Sequence, residues 1–207
     1  MISICIPLKN RAANLIRCLD SLRRVKGDFE VVIGDNYSDD INWEALAHAY
    51  EFEITVARWE GDWSIGKAKN VAAESAKGDI LFFLDADVVV VQEVIDKIVR
   101  LVPEGWVYAP IMWMENEDRK TGDWGVHSFG QVAVTKQQWE DHKWVEWKSY
   151  GGDDNMFVEP YKLNHTMIRD TPDSFIHHWH PHEERTKNYK NNAGYDLDIE
   201  RKRRGLA

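Results

Sequence analysis

The sequence predicts an α/β fold, a single domain built on a mostly parallel central sheet with helices on both faces. Two observations carry that prediction. Short apolar runs alternate with segments of helical period through the first half of the chain, and that rhythm implies parallel pairing with covering helices. The size also suits one core: 207 residues, 43% hydrophobic and 29% charged, a globular composition.

Taken in order, Ile2–Leu8 reads as a buried strand. Residues 11–24 carry Leu15, Leu19 and Leu22 at i, i+4 and i+7, one face of a helix. Residues 29–34 form a second strand closed by the turn-rich DNYSDD. Residues 43–50 read as helical, 52–57 as a third strand, and the Ala- and Lys-rich 66–77 as a helix broken by Gly78 and Asp79. Residues 80–84 make a fourth strand. After about residue 103 the pattern becomes mixed and rich in tryptophan, with a strand expected at 129–135 and a short helix at 136–142. The expected division is a nucleotide-sugar-type half over 1–102, a half that supplies the rest of the site over 103–192, and a polar tail over 193–207. In such sheets ligands lie beyond the carboxyl ends of the strands.

Charge and cysteine usage narrow the function. Lys and Arg number 26 against 35 Asp and Glu, a net of -9, which argues against nucleic acid as a partner. Cys5 and Cys18 cannot build a disulfide framework, so a reducing compartment is expected. The apolar N-terminus has no basic lead and no small-residue cleavage site. The most apolar stretch, residues 80–91, is too short to span a bilayer and holds Asp85 and Asp87. A cytoplasmic location is the expectation. Oligomeric state is not legible here.

Three constellations carry chemistry. In LFFLDADVVV, Asp85 and Asp87 end a buried strand, with alternation placing both carboxylates on one side. Paired carboxylates repel unless a cation lies between them, and hard oxygen ligands suit Mg²⁺ or Mn²⁺; a solvated turn is the plain alternative. In SYGGDDNMF, Asp153 and Asp154 follow two glycines that let backbone approach a ligand closely. A carboxylate there can serve as general base, the alternative being an ordinary Gly-Asp turn. In FIHHWHPHEER, His178, His180 and His182 alternate on one face of an extended segment with His177 opposite, a source of metal ligands or a solvated loop. Neither GxGxxG nor GxxxxGK[ST] nor GxSxG occurs, and Cys5 sits in an apolar strand as a core residue.

The order of these motifs resembles that of the GT-A fold (Rossmann-like) glycosyltransferases, especially family 2 enzymes and the galactosyltransferase group with a GGED-type motif. The likeness runs over residues 2–192, through IPLKNR, VVIGDNYSDD, GKAKNVAAESAKGDILFFLDAD, GGDD and HHWHPH. It implies a metal-dependent transfer of sugar from a nucleotide diphosphate sugar, UDP-linked, to a carbohydrate or other hydroxyl acceptor, with inversion. Pro7, Asn10 and Arg11 would line the nucleotide pocket, and Asp35 would meet the base edge. Lys67, Lys69 and Asn70 would approach the diphosphate or donor sugar, with Asp85 and Ala86 beside it. Asp87 would bind Mn²⁺ or Mg²⁺ together with His180, or with His178 in its place. Asp154 matches the catalytic base and Asp153 the acceptor-binding acid.

Departures from the pattern bear on donor and acceptor identity. Asp153 stands where Glu is usual, Tyr150 where Trp often precedes the glycines, Gly34 for the first Asp of the turn, and Lys69 for Arg. The alternatives are a retaining GT-A transferase, a sugar-phosphate nucleotidyltransferase, whose Gly-rich N-terminal loop is missing, and a non-catalytic carbohydrate- or partner-binding domain. Of the ten tryptophans, most would be core, and Trp124 and Trp147, with Tyr150, are the ones expected at an acceptor. The polar stretch with Arg185, Lys187 and Lys190 would suit a mobile lid, and the basic run 201–204 a solvated helix end.

Overall fold

The computed structural model describes residues 1–189 and Lys202. The elements are β1 (Ile2–Leu8), α1 (Ala12–Leu22), β2 (Phe29–Asp35), α2 (Trp43–Ala47), β3 (Ile54–Arg58), α3 (Ile65–Ser75), β4 (Ile80–Phe83), β5 (Val88–Val89) and α4 (Gln92–Leu101). They continue with β6 (Val107–Tyr108), β7 (Trp113–Glu115), β8 (Gly122–Trp124), β9 (Val132–Thr135), α5 (Lys136–Asp141), α6 (Asp153–Leu163), β10 (Met167–Ile168), β11 (Ile176–His177) and α7 (His182–Thr186).

The central sheet has seven strands in the order β10-β6-β9-β4-β1-β2-β3. β3, β2, β1 and β4 pair in parallel, and β9 runs antiparallel between β4 and β6. Strand order therefore reverses at β1: β2 and β3 lie to one side and β4 to the other. In such a sheet the ligand crevice lies beyond the carboxyl ends of the strands at that switch point, here β1 and β4. A second sheet of short strands, β5-β11-β7-β8, stands beside it.

Strand alternation sorts the core into two layers. Ile4, Ile6, Val31, Ile33 and Phe82 pack against Leu15 and Leu19 of α1 and Val94, Ile95 and Ile98 of α4. Cys5, Val32, Leu81 and Phe83 point to the other face, against Ala72 and Ala73 of α3, Trp139 of α5 and Phe157 of α6. Both faces are covered, which is why β1 is buried along its whole length. The helix starts are chemically marked. Ser64 caps α3 by accepting from the Lys67 amide, and Thr135 and Gln138 form a reciprocal capping box on α5.

Most expected elements fall within a few residues of these, with β9 starting at 132 rather than 129 and α2 ending at 47 rather than 50. α4 and α6 have no counterpart in the expectations. The basic run 201–204, Lys202 apart, and Lys190 lie outside the described residues. Strands from both expected halves share the central sheet, since β9 and β6 follow directly on β4. No helix among the described residues is long and apolar enough to cross a membrane.

Two glycines let α3 approach its neighbours closely, Gly34 on the sheet and Gly66 against the segment after α5. A Cβ at Gly34 would lie 2.0 Å from the Ala68 carbonyl oxygen, and one at Gly66 would lie 1.9 Å from that of Val145. Gly→Ala in an exposed helix is normally favourable by about 1 kcal/mol. Gly66→Ala should instead destabilise by about 1–3 kcal/mol, the usual cost of overpacking. Urea denaturation checks the sign; a gain in stability would mean the contact is not rigid.

Candidate active site

The crevice at the ends of β1 and β4 opens into a cavity of about 200 Å³. Four segments build it. Pro7 lies near the end of β1 and Lys9 and Arg11 follow it; Asp85, Ala86 and Asp87 follow β4; Asp153 and Asp154 begin α6; His177 ends β11 and His180 follows it. Trp63, Tyr150 and Tyr189 stand at the rim, with Tyr189 set 6.3 Å from the Trp63 ring and 5.7 Å from the Tyr150 ring.

Asp87 is the most strongly compensated charge of the site. It is 4% exposed, with Arg11 Nη1 at 3.0 Å, His180 Nε2 at 3.0 Å and His177 Nε2 at 3.4 Å. Burial alone would raise its carboxyl, but His177, His180 and Arg11 overcome that and hold it well below the usual range. One ligand atom each from Asp87, His177 and His180 lies within 4.8 Å of the others, and all three residues are buried. Asp87 Oδ1 is buried without a hydrogen-bond partner among the described residues. A carboxylate oxygen left in that state beside two imidazole nitrogens fits a divalent cation.

The two acids of α6 have different surroundings. Gly151 and Gly152 have φ of 92° and 84°, a conformation that favours glycine, and they turn the chain so that the helix begins at Asp153. Asp154 accepts from the Phe129 amide through Oδ2 at 3.0 Å and from the Asn155 amide through Oδ1 at 2.8 Å. Asp153 is 7% exposed. Burial raises its carboxyl to about 7; Lys69 opposes the rise, and Asp154 and Asp85 add to it. Lys69 is itself buried, with Nζ 3.1 Å from the Gly130 carbonyl, 3.6 Å from Asp85 Oδ1 and 3.9 Å from the Trp144 ring centre.

Of the residues singled out from sequence, Pro7, Arg11, Lys69, Asp85, Ala86, Asp87, Tyr150, Asp153, Asp154 and His180 line this cavity. Others do not. His178 turns away, its Nδ1 2.9 Å from Glu115 Oε2, and His177 takes its place. The physical reason is that β11 ends at His177, so the alternation of an extended segment stops there and residues three apart converge. Asp35 is fully buried; its carboxylate accepts from the Ser38 amide and meets Arg58 Nε at 3.5 Å, which stabilises the turn after β2. Asn10 likewise ties that turn, accepting from the Asp39 amide. Lys67 meets Glu146 at 3.4 Å, and buried Asn70 bonds to the Trp144 backbone and the Trp139 indole. Trp124 packs on Trp113 across the β7–β8 pair. Met112 and Met114 alternate with Trp113 and face the cavity, so Trp124 lies on the opposite side. Trp147 is half-buried and outside the lining.

Sequence reasoning missed Lys9, Met112, Met114, Ser128, Gly130 and Tyr189. It also missed Glu184, whose Oε2 lies 3.7 Å from Arg11, and Asn188, which donates to the Lys9 carbonyl at 3.0 Å. Glu184, Asn188 and Tyr189 belong to the stretch expected to form a lid. Cys5 and Cys18 are free thiols buried in the core, and burial pushes both well above the usual range, which removes them as nucleophiles.

Comparison with known proteins places this geometry. Residues 3–191 match Glycosyl transferase family 2. An uncharacterized glycosyltransferase of Haemophilus influenzae is 32% identical over 115 residues, 53% of this chain and 38% of that protein. A PGL/p-HBAD biosynthesis glycosyltransferase of Mycobacterium bovis is 40% identical over 93 residues, 42% of this chain and 35% of its own. The chain thus spans well under half the length of these relatives. Among solved structures, S. aureus TarS 1–349 in complex with UDP-GlcNAc superposes with a TM-score of 0.73 at 17% identity, over 94% of this chain and 61% of that one. The Pyrobaculum calidifontis mannosyltransferase PcManGT, in complex with GDP-Man and Mn²⁺, gives 0.61 at 16% identity, over 83% and 54%. The fold is that of the GT-A glycosyltransferases.

The raised Asp153 carboxyl has a consequence for stability. In the unfolded chain it would titrate near 4, so between about pH 4 and 7 the folded chain holds a proton that the unfolded chain has lost. Stability contributed by this group therefore falls as pH rises through that window. Asp153→Asn should gain stability over the native chain progressively from pH 4 to pH 7, read from urea midpoints in EDTA. A pH-independent difference would mean Asp153 titrates normally.

Proposed function

The chain belongs to glycosyl transferase family 2, and from that premise we propose that it transfers a sugar from a UDP-linked donor to an acceptor hydroxyl with inversion. The observation that carries this reading is the cavity itself, which opposes a buried Asp/His/His cluster to a carboxylate at the start of α6. The neighbours support the donor class: TarS was solved with UDP-GlcNAc, and PcManGT with GDP-Man and Mn²⁺.

Asp87, His177 and His180 would hold Mn²⁺ or Mg²⁺, and two imidazole nitrogens favour Mn²⁺ over the harder Mg²⁺. The cation, when bound, supplies positive charge for the leaving diphosphate. Arg11, which now holds Asp87, is placed to turn to the diphosphate once Asp87 has another partner. Asp154 would take the acceptor proton; its two amide bonds fix the direction of its carboxyl group. Asp153 and Tyr150 would orient the acceptor, with Trp63 and Tyr189 presenting aromatic faces. A carboxyl at about 7 is also well matched to general base work, so Asp153 is the second candidate for the proton. We place the reaction in the cytoplasm on the strength of the two free thiols.

Two experiments test this. Calorimetry of UDP with Mn²⁺ and with EDTA should show binding that needs the cation. His177→Ala and His180→Ala should each weaken it by about tenfold or more, while His178→Ala leaves it intact. Loss in His178→Ala with none in His177→Ala would undo the assignment of ligands. Asp154→Asn should retain UDP affinity and lower turnover roughly 10²–10⁴-fold. If Asp153→Asn shows that loss and Asp154→Asn does not, the base is Asp153.

A further inference from the structure

The segment between β8 and β9 is held from three sides. Arg169, directly after β10, ties it to the end of β6: Nη1 donates to the Val126 carbonyl and Nη2 to that of Ser128 at 2.7 Å, while Nε donates to the Ala109 carbonyl after β6 at 3.2 Å. Two cations meet the Phe129 ring, with Arg169 4.2 Å and Lys162 Nζ 3.5 Å from its centre. At the far end, the Gly130 carbonyl accepts from Lys69 at 3.1 Å, and Gln131 donates to Asp85 Oδ2 at 2.9 Å. A Cβ on Gly130 would stand 2.9 Å from that Asp85 oxygen, so the backbone is pressed against the site.

One group of this clamped segment reaches a candidate catalytic atom. The Phe129 amide, next in sequence to the carbonyl that Arg169 holds, donates to Asp154 Oδ2 at 3.0 Å. A planar fork of donors can fix several carbonyls at once, and an ammonium on a flexible stem cannot reproduce it. Holding so long a side chain still carries an entropic cost. Burial pulls the Arg169 guanidinium below its usual range, and the Asp154 charge works against that.

We propose that Arg169 is a positioning residue for Asp154: by fixing the Val126 and Ser128 carbonyls it aims the Phe129 amide at Oδ2 and so sets the direction of the carboxylate in the cavity. Its consequence for turnover rests on Asp154 being the base; the positional link does not.

Nitrogen-15 NMR of the full chain tests the link directly. In the native chain the Phe129 amide should exchange slowly. In Arg169→Lys it should exchange about tenfold faster, as a freed hydrogen bond does, and its resonance should move toward the position it has in Asp154→Asn. The β9 amides should keep their protection, which controls for unfolding. Arg169→Gln, which keeps two donors but loses the fork, is the second variant should Arg169→Lys not fold. UDP release from UDP-N-acetylglucosamine with Mn²⁺ should show a lower kcat in the Arg169 variants with UDP affinity unchanged. Native-like exchange at Phe129 in a folded variant, or a loss of UDP affinity in step with kcat, overturns the proposal. Normal turnover in Asp154→Asn would instead refute the base, and the exchange rates would then still judge the link.

Discussion

A carboxylate removed from water must be compensated or it does not stay ionised, and Asp87 imposes that constraint on the chain. Its compensation comes from distant points in the sequence. Arg11 follows the first strand; His177 ends the eleventh and His180 follows it. The Asp87 carbonyl also accepts from the His178 amide at 2.9 Å, and β5 pairs antiparallel with β11 just beyond it. The late histidine segment is thus docked on the end of β4 by backbone as well as by charge. Removing one partner would leave a buried charge short of compensation, so the arrangement is tightly specified. The same atoms leave one oxygen without a hydrogen bond, and that oxygen is where a cation would complete the set.

The parallel half of the fold was legible because its elements carry their own signal. β1 reads as a buried strand from its unbroken apolar run, and α1 as a helix from Leu15, Leu19 and Leu22. α6 was hidden for a physical reason. It opens on Gly-Gly-Asp-Asp, which is turn chemistry, and contains Pro160, which lowers helix propensity. α4 was overlooked beside the apolar stretch that precedes it, although Val94, Ile95 and Ile98 mark a buried face.

Residues that line the cavity were legible where their residue type points to it, and illegible where their place depends on how the backbone turns. Asp85, Asp87, Asp154 and His180 belong to the first kind. His177 belongs to the second: alternation predicts it opposite His180, but the strand stops and the two rings come within 5.3 Å. Asp35 and Asn70 show the converse. Both match positions expected at the donor, yet each has its polar atoms engaged within the protein, Asp35 at a turn and Asn70 among tryptophans. The Phe129 amide has no sequence signature at all, since any residue supplies an N–H.

The neighbouring acids of α6 show how one backbone turn gives two carboxyls separate characters. The helix N-terminus favours negative charge at both, by about 0.3–1 kcal/mol at exposed sites. For Asp153 burial outweighs that and the Lys69 ammonium, and the carboxyl reaches about 7. Asp154, one residue on, meets two amide donors instead, from Phe129 and Asn155. The segment over residues 128–131 reaches the surroundings of both, giving its Phe129 amide to Asp154 and its Gly130 carbonyl to Lys69. A carbonyl that holds a cation beside one acid, and an amide that holds the other acid, are adjacent groups of one strand entry. One backbone segment thus serves both acids in different ways: its amide orients the Asp154 carboxyl, and its carbonyl anchors the Lys69 ammonium that offsets part of the burial of Asp153.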